Sequence, residues 1–254
     1  MAAGTTLVFV GPAGSGKTSL VAAYSEWLRE GGASVYTVNL DPAVKVLPYE
    51  PGFDARRLVS VDEVARKYGL GPNGALVKAM ELLAERVEEV AAAVAEADAD
   101  YVLVDTPGQM EVFLFRDISW RLVEALEKVS QRVYAVFILD ATVLRDPADY
   151  AFLLLMATAV QLRLGVETAP VINKADLAPD VEATGDLLRD YGRVSKSLRE
   201  SGGVYGEMLR ELLRGLLKYS RRVNVPRVSA AKREGLEELH RLVLEMGCSC
   251  GDLT

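Results

Sequence analysis

A single histidine, His240, and two cysteines, Cys248 and Cys250, are all that 254 residues hold of the side chains most used for nucleophilic and zinc chemistry. One imidazole excludes a mechanism that needs two in one chain, and with it a zinc site built mainly from histidine. Two cysteines separated by one residue cannot make a disulfide framework, which points to a reducing compartment. They could hold a soft metal between two chains or belong to a frayed tail. His240 reads as a surface or half-buried residue of the last helix. Long apolar runs are missing too. The longest, residues 134–139 and 151–157, fall far short of the ~20 residues of a spanning helix, and no basic leader precedes an apolar core at the N-terminus. A cytoplasmic protein without membrane contact is the expectation.

An excess of positive charge is also absent. The chain carries 29 basic and 36 acidic residues, a net charge of −7, which opposes long-range attraction to nucleic acid and leaves such a partner unexpected. Residues 210–233 run the other way, with Arg210, Arg214, Lys218, Arg221, Arg222, Arg227, Lys232 and Arg233 against Glu211 alone. This stretch is either a solvated helix face with its loop or a surface for an acidic partner.

What the sequence does contain is a repeated alternation. Residues 5–10 (TTLVFV), 34–40, 100–104, 132–139, 169–172 and 226–228 are short apolar runs that read as strands, separated by stretches with helical spacing. The alternation predicts an α/β sheet, mostly parallel, with right-handed crossovers and helices on both faces. Residues 18–30 form a helix that stops at Gly31-Gly32, and residues 146–164 form another, with Asp146-Pro147 as cap and first turn. Leu76, Met80, Leu83, Val87, Val90 and Val94 follow each other at steps of four and three, the seam of one helix that either packs on the core or adds to a dimer contact. No repeat, low-complexity tract or linker divides the chain. Residues 1–254 are therefore read as one domain, with a mostly helical insertion at 177–225 before the last strand.

Gly11-Pro12-Ala13-Gly14-Ser15-Gly16-Lys17-Thr18 matches the phosphate-binding pattern G-x-x-x-x-G-K-[ST] and lies between a strand and a helix. Glycines let backbone N–H groups turn toward phosphates, Lys17 reaches the β and γ phosphates, and the Thr18 hydroxyl can ligate Mg²⁺. Residues 11–18 with Ser19 are the candidate phosphate-binding set, and the fold expected is a three-layer P-loop NTPase. Asp105-Thr106-Pro107-Gly108-Gln109 follows the third predicted strand, where Asp105 can hold the metal through water and the Gly108 N–H can meet the γ-phosphate. Gln109 or Glu111 could orient an attacking water; Glu111 could equally be a solvated carboxylate.

Asn173-Lys174-Ala175-Asp176 fits N-K-x-D, in which the Asp176 carboxylate accepts from N1–H and the 2-amino group of guanine, donors that adenine lacks. Ser229-Ala230 would add a backbone N–H near guanine O6. Asp41, before Pro42 at a strand end, is either a turn starter or an active-site residue. No arginine stands out as a finger; Arg116 is a candidate in cis, or a surface residue. Gly71-Pro72-Asn73, read from its residues alone, is a turn.

With these segments in order, with Asn39-Leu40-Asp41-Pro42-Ala43 after the second strand and with Gly69-Leu70-Gly71-Pro72-Asn73-Gly74 inserted before the long helix, the sequence resembles the GPN-loop GTPases over roughly residues 4–240. The resemblance implies a GTPase that uses GTP/GDP and Mg²⁺ and dimerises through its nucleotide sites. Gly71, Pro72 and Asn73 of the loop at 69–74 would act on the other subunit's phosphate region. Asp41 would sit near Mg²⁺ and the attacking water, and Gln109 with Glu111 would position that water. Eukaryotic relatives are linked to RNA polymerase assembly and nuclear import, which implies a protein client. A small-molecule or polynucleotide kinase would use the same P-loop, but it has no need of the guanine pattern.

Replacing Asp176 by Asn is expected to weaken GTP binding by roughly 2–5 kcal/mol, as for a broken buried charged contact. Titration of the variant with GTP and ATP checks this; unchanged affinity and base preference would remove Asp176 from the base pocket.

Overall fold

β-Branched and aromatic residues gather in short runs, and these runs become one six-stranded sheet with helices packed around it. The protein is seen in a computed structural model that describes residues 3–144, 147–178, 187–200, 203–219 and 225–248. β1 (Ala3–Val10) leads through the glycine-rich turn into α1 (Lys17–Glu30), and β2 (Val35–Asn39) follows. β3 (Phe53–Asp54), α2 (Val61–Tyr68), α3 (Pro72–Ala84) and α4 (Val87–Ala97) precede β4 (Tyr101–Asp105). α5 (Met110–Leu114) and α6 (Asp117–Glu127) lead to β5 (Ser130–Asp140), and α7 (Pro147–Leu164) leads to β6 (Thr168–Asn173). α8 (Leu187–Glu200), α9 (Gly203–Tyr219) and α10 (Leu236–Cys248) come last.

The strands lie in the order β3-β2-β4-β1-β5-β6, and every pair is parallel. β1 sits between β4 and β5, and its side chains alternate as a strand covered on both faces requires. Leu7 and Phe9 join the core that includes Leu20, Tyr24 and Leu28 of α1 and Leu239 and Val243 of α10. Val8 and Val10 join the larger core with Met80, Leu83, Ile118, Leu122 and Leu153. These are the three expected layers. A smaller cluster, Val194, Leu198 and Leu213, joins α8 to α9, with Leu154 of α7 packed against it.

Four readings change. The seam from Leu76 to Val94 is two helices, because α3 ends at Ala84 and α4 restarts at Val87. Arg86 stands at the break: its guanidinium donates to the Leu58 carbonyl at 3.2 Å and pairs with Glu89 at 2.6 Å. All six seam residues are buried in the larger core, so they pack the interior rather than a partner. Residues 226–228 make only a bridge, Ile172 to Arg227, with backbone bonds to β6, and not a full strand. Gly71-Pro72-Asn73 opens a helix instead of forming a turn. Gly69 takes the left-handed cap of α2 at φ 64°, Gly71 caps α3, and Pro72 fills its first position, where the missing N–H costs nothing. Finally, β3 is a strand that periodicity could not reveal, since it has two residues.

Described members of the basic stretch point to different partners. Arg233 pairs with Glu30 at 2.6 Å beside α1, Arg210 bonds Glu207 on α9, and Arg227 donates to the Ala178 carbonyl at 2.9 Å. Lys218, Arg221 and Arg222 lie outside the described residues or have undescribed side chains. Within 177–225 the described residues are mostly helical. No described helix is long and apolar enough to cross a membrane.

Gly4 lets β1 and β4 approach: a Cβ there would lie 2.2 Å from the Asp100 carbonyl oxygen. Gly4→Ala is therefore expected to cost about 1–3 kcal/mol through forced overpacking. Urea unfolding measures it, and a wild-type midpoint would contradict this strand spacing.

Candidate nucleotide site

The turn from β1 into α1 wraps around its own lysine. Gly14 and Gly16 have φ of 78° and 85°, which side-chain-bearing residues rarely adopt. At Gly16 space forbids a side chain as well, since a Cβ would lie 2.5 Å from Asn173 Nδ2. Lys17 Nζ donates to the carbonyls of Gly11 at 2.7 Å and Pro12 at 3.1 Å. Burial lowers the Lys17 pKa, while Asp105, Asp41 and Glu111 oppose the shift, so three sequence-predicted carboxylates face one ammonium. Thr18 is half-buried beside it; Pro12 is half-buried, and Ala13, Gly14 and Ser19 are exposed.

Asp105 ends β4 and is fully buried. Its Oδ2 accepts from the Tyr49 hydroxyl at 3.0 Å, and its Oδ1 has no hydrogen-bond partner, a condition shared by the buried Ser15 Oγ. Burial raises the Asp105 pKa to about 6, against the pull of the Thr18 and Tyr49 hydroxyls and of Lys17. An orphaned carboxylate oxygen next to hydroxyl oxygens suits a hard cation such as Mg²⁺, which typically takes one or two carboxylates and completes its shell with phosphate and water. Among the described residues no group of three or more His, Cys, Asp and Glu could hold a metal ion.

Asp41 joins two loops. Its Oδ2 accepts from the Gly108 N–H at 3.2 Å and its Oδ1 from the Ala43 N–H at 2.9 Å, while Asn39 Oδ1 accepts from its own N–H at 3.0 Å. Thr106 is held by a bond to the Phe9 carbonyl at 2.7 Å. Gln109 is half-buried at the N-terminal cap of α5, and Glu111 lies exposed in the first turn.

On the other side, Asn173 ends β6 and clamps the glycine turn. Its Nδ2 donates to the carbonyls of Ser15 at 3.0 Å and Gly16 at 3.3 Å, and its Oδ1 accepts from the Ala230 N–H at 3.2 Å. Asp176 Oδ1 accepts from Ser229 Oγ at 2.6 Å, and Lys174, with a left-handed φ of 61°, reaches Asp140 at 2.6 Å. Asn173, Lys174, Asp176, Ser229 and Ala230 are thus brought together and tied to the phosphate loop. Of the two backbone N–H groups of the Ser229-Ala230 pair expected near guanine O6, that of Ser229 donates to the Glu234 carbonyl and that of Ala230 to Asn173 Oδ1.

Other candidates stand apart. Gly71, Pro72 and Asn73 are exposed, and among the described residues none hydrogen-bonds to residues 11–19, Asp41, Asp105 or Gly108. Arg116 caps α6 and faces Glu81 at 3.9 Å. The side chain of Cys248 and all of Cys250 lie outside the described residues. His240 is half-buried, with Nδ1 bonded to the Tyr24 hydroxyl at 2.8 Å and its ring against Trp27 and Tyr101; burial lowers its pKa. Tyr49, Asp54, Arg56 and Asp140 were missed. They carry no motif, and only the fold brings them to the site.

A parallel sheet whose central strand runs through a glycine-rich turn and a buried lysine into a helix, with aspartates at the neighbouring strand ends, defines a P-loop nucleotide-binding protein. Residues 9–249 match a family described as a conserved hypothetical ATP binding protein. GPN-loop GTPase PAB0955 from Pyrococcus abyssi is 40% identical, over 98% of this chain and 99% of that protein. The crystal structure of the PAB0955 GTPase in apo form superposes with a TM-score of 0.84 at 38% identity, covering 97% of this chain and 98% of that one. GPN-loop GTPase 3 from Dictyostelium discoideum is 35% identical over 66% of this chain, a match spanning 59% of the longer relative. The chain belongs to the GPN-loop GTPase family.

The raised Asp105 pKa has a measurable consequence without ligand. Folded Asp105 holds its proton up to about pH 6, whereas in the unfolded chain it loses it near 3.8. Between these values the native state binds more protons, so this group's contribution to stability falls as pH rises. Asp105→Asn is expected to stabilise the ligand-free protein at pH 7 by up to about 3 kcal/mol, with the difference shrinking toward pH 4. Thermal unfolding across this pH range checks it; a destabilised variant at pH 7 would contradict the net cost of burying this carboxylate.

Proposed function

We propose that this GTPase is a homodimer, depends on Mg²⁺ and works as a nucleotide-driven switch. The observation that carries the reading is the Asn173 clamp: the segment fitted to guanine is bonded to the carbonyls of the phosphate loop, so one ligand can span both. The N-K-x-D pattern favours guanine over the adenine nucleotide in the matched family's description. Base selectivity follows from leaving a carboxylate unpaired when the wrong base enters.

When GTP binds, the backbone N–H groups of residues 11–19 surround the phosphates, and Lys17 exchanges its two carbonyls for phosphate oxygens. Thr18 and Asp105, with Asp41 nearby, would hold Mg²⁺, which supplies positive charge against the charge that builds on the phosphates. Gly108 gives up its bond to Asp41 and turns its N–H to the γ-phosphate. Gln109 and Glu111 orient the water that attacks it, giving GDP and phosphate. Asn73, with Gly71 and Pro72, acts on the partner's site, in keeping with the exposure of all three in the single chain. The product that matters is a conformational state handed to a protein client in the cytoplasm; assembly of RNA polymerase is the role that the family resemblance suggests.

Mixing two inactive variants tests the trans arrangement. Lys17→Ala and Asn73→Ala are each expected to lose most GTP hydrolysis. Dimers exchanged at equal amounts contain one intact site in each mixed pair, which restores about a quarter of wild-type activity for random two-fold pairing. No recovery, with mixed dimers demonstrated, would place Asn73 outside the partner's site; a wild type that hydrolyses no GTP would overturn the reading as a whole.

A further inference from the structure

Asp54, Asn39 and Asp105 form one row across the carboxyl edge of the sheet, because Asn39 pairs in register with Asp54 on β3 and with Asp105 on β4. Residues in register on neighbouring strands point to the same face, and all three are buried. Within the row, Asn39 Nδ2 donates to Asp54 Oδ1 at 2.9 Å. Arg56 closes the far end: Nε lies 3.0 Å from both Asp54 oxygens and a second guanidinium nitrogen 2.6 Å from Oδ2. The third nitrogen of Arg56 donates to the carbonyls of Val44 at 3.1 Å and Lys45 at 3.3 Å. The loop that carries Asp41 is therefore held twice, by Asn39 at its start and by Arg56 three to four residues on. Tyr49, from the segment leading into β3, does the same for Asp105 by occupying Oδ2 and leaving Oδ1 free.

We propose that residues 49–56 are a buttress for the site, in which Tyr49 positions the Asp105 carboxylate and the Arg56–Asp54 pair, through Asn39 and the 44–45 carbonyls, positions Asp41. These are positioning residues, not catalytic ones, and the inference rests on the nucleotide and metal roles proposed above. A bidentate guanidinium satisfies a buried carboxylate and fixes its plane, which a single-point contact cannot do. Partners of this kind set the orientation of metal-binding carboxylates, and losing one typically costs about 10–100-fold in metal affinity or activity.

The test separates positioning from mere support of the sheet edge. Tyr49→Phe removes one hydroxyl. GDP affinity measured in EDTA is expected to stay at the wild-type value, while Mn²⁺ binding to the GDP complex, followed by electron paramagnetic resonance, weakens about tenfold. The paired variant Asp54→Asn/Arg56→Gln leaves no lone buried charge and is expected to lower kcat for GTP about tenfold with KM within about twofold. Unchanged Mn²⁺ affinity in Tyr49→Phe, or a kcat in the paired variant that falls only with its folded fraction, would overturn the buttress. Should the paired variant not fold, the Tyr49→Phe metal titration decides alone. A wild type that binds neither GDP nor Mn²⁺ would overturn the nucleotide reading and the buttress with it, whereas normal wild-type binding matched by Tyr49→Phe overturns the buttress only.

Discussion

Strand register in the parallel sheet governs where the polar side chains at the strand ends of the site can stand. All strands run the same way, so all carboxyl ends lie on one edge, and the register brings Phe9, Asp105, Asn39 and Asp54 level with one another. One residue past Val10 the chain turns into the glycine loop, and on the opposite side Asp140 stands level with Asn173. A slip of one residue would send each of the polar side chains in these rows to the other face of the sheet. The alternating packing of β1, Leu7 and Phe9 against one layer and Val8 and Val10 against the other, is what prevents that slip.

The polar edge is costly, and the surrounding bonds are arranged to limit the cost. Asn173 sits almost wholly buried yet satisfies three backbone groups, so its amide is a spacer between the phosphate loop and the 229–230 turn. Asp54 is neutralised by a fork of three contacts from Arg56, which holds its pKa low despite burial. Asp105 is the exception. It gains one hydroxyl bond and keeps one bare oxygen, and an unsatisfied buried acceptor at a strand end is a feature to be explained by what binds there.

The glycine loop, the D-x-P-G segment and the guanine pattern were legible in the sequence because each is a contiguous run placed beside a predicted strand. The three layers were legible because apolar runs alternate with helical spacing. Other features were not. Tyr49, Asp54 and Arg56 sit in a segment whose only strand is two residues long, below any periodicity, and their meaning comes from the pairing of Asn39 with Asp54. The break at Arg86 was hidden because the apolar seam continues through it, while the Arg86 guanidinium turns away to the Leu58 carbonyl. Gly71-Pro72-Asn73 illustrates the reverse, since Pro that starts a turn also starts a helix, and the left-handed Gly69 two positions earlier does the turning.

Lys17 adds one further consequence. In the single chain its ammonium is not waiting in open space; it is bonded to the carbonyls of Gly11 and Pro12 and surrounded by the fields of three acids. On the function proposed above, phosphate enters by substitution, and its affinity is a difference between two sets of contacts to one cation. Both carbonyls belong to the turn that precedes the lysine, so the side chain folds back and braces that turn from within, as a keystone does an arch.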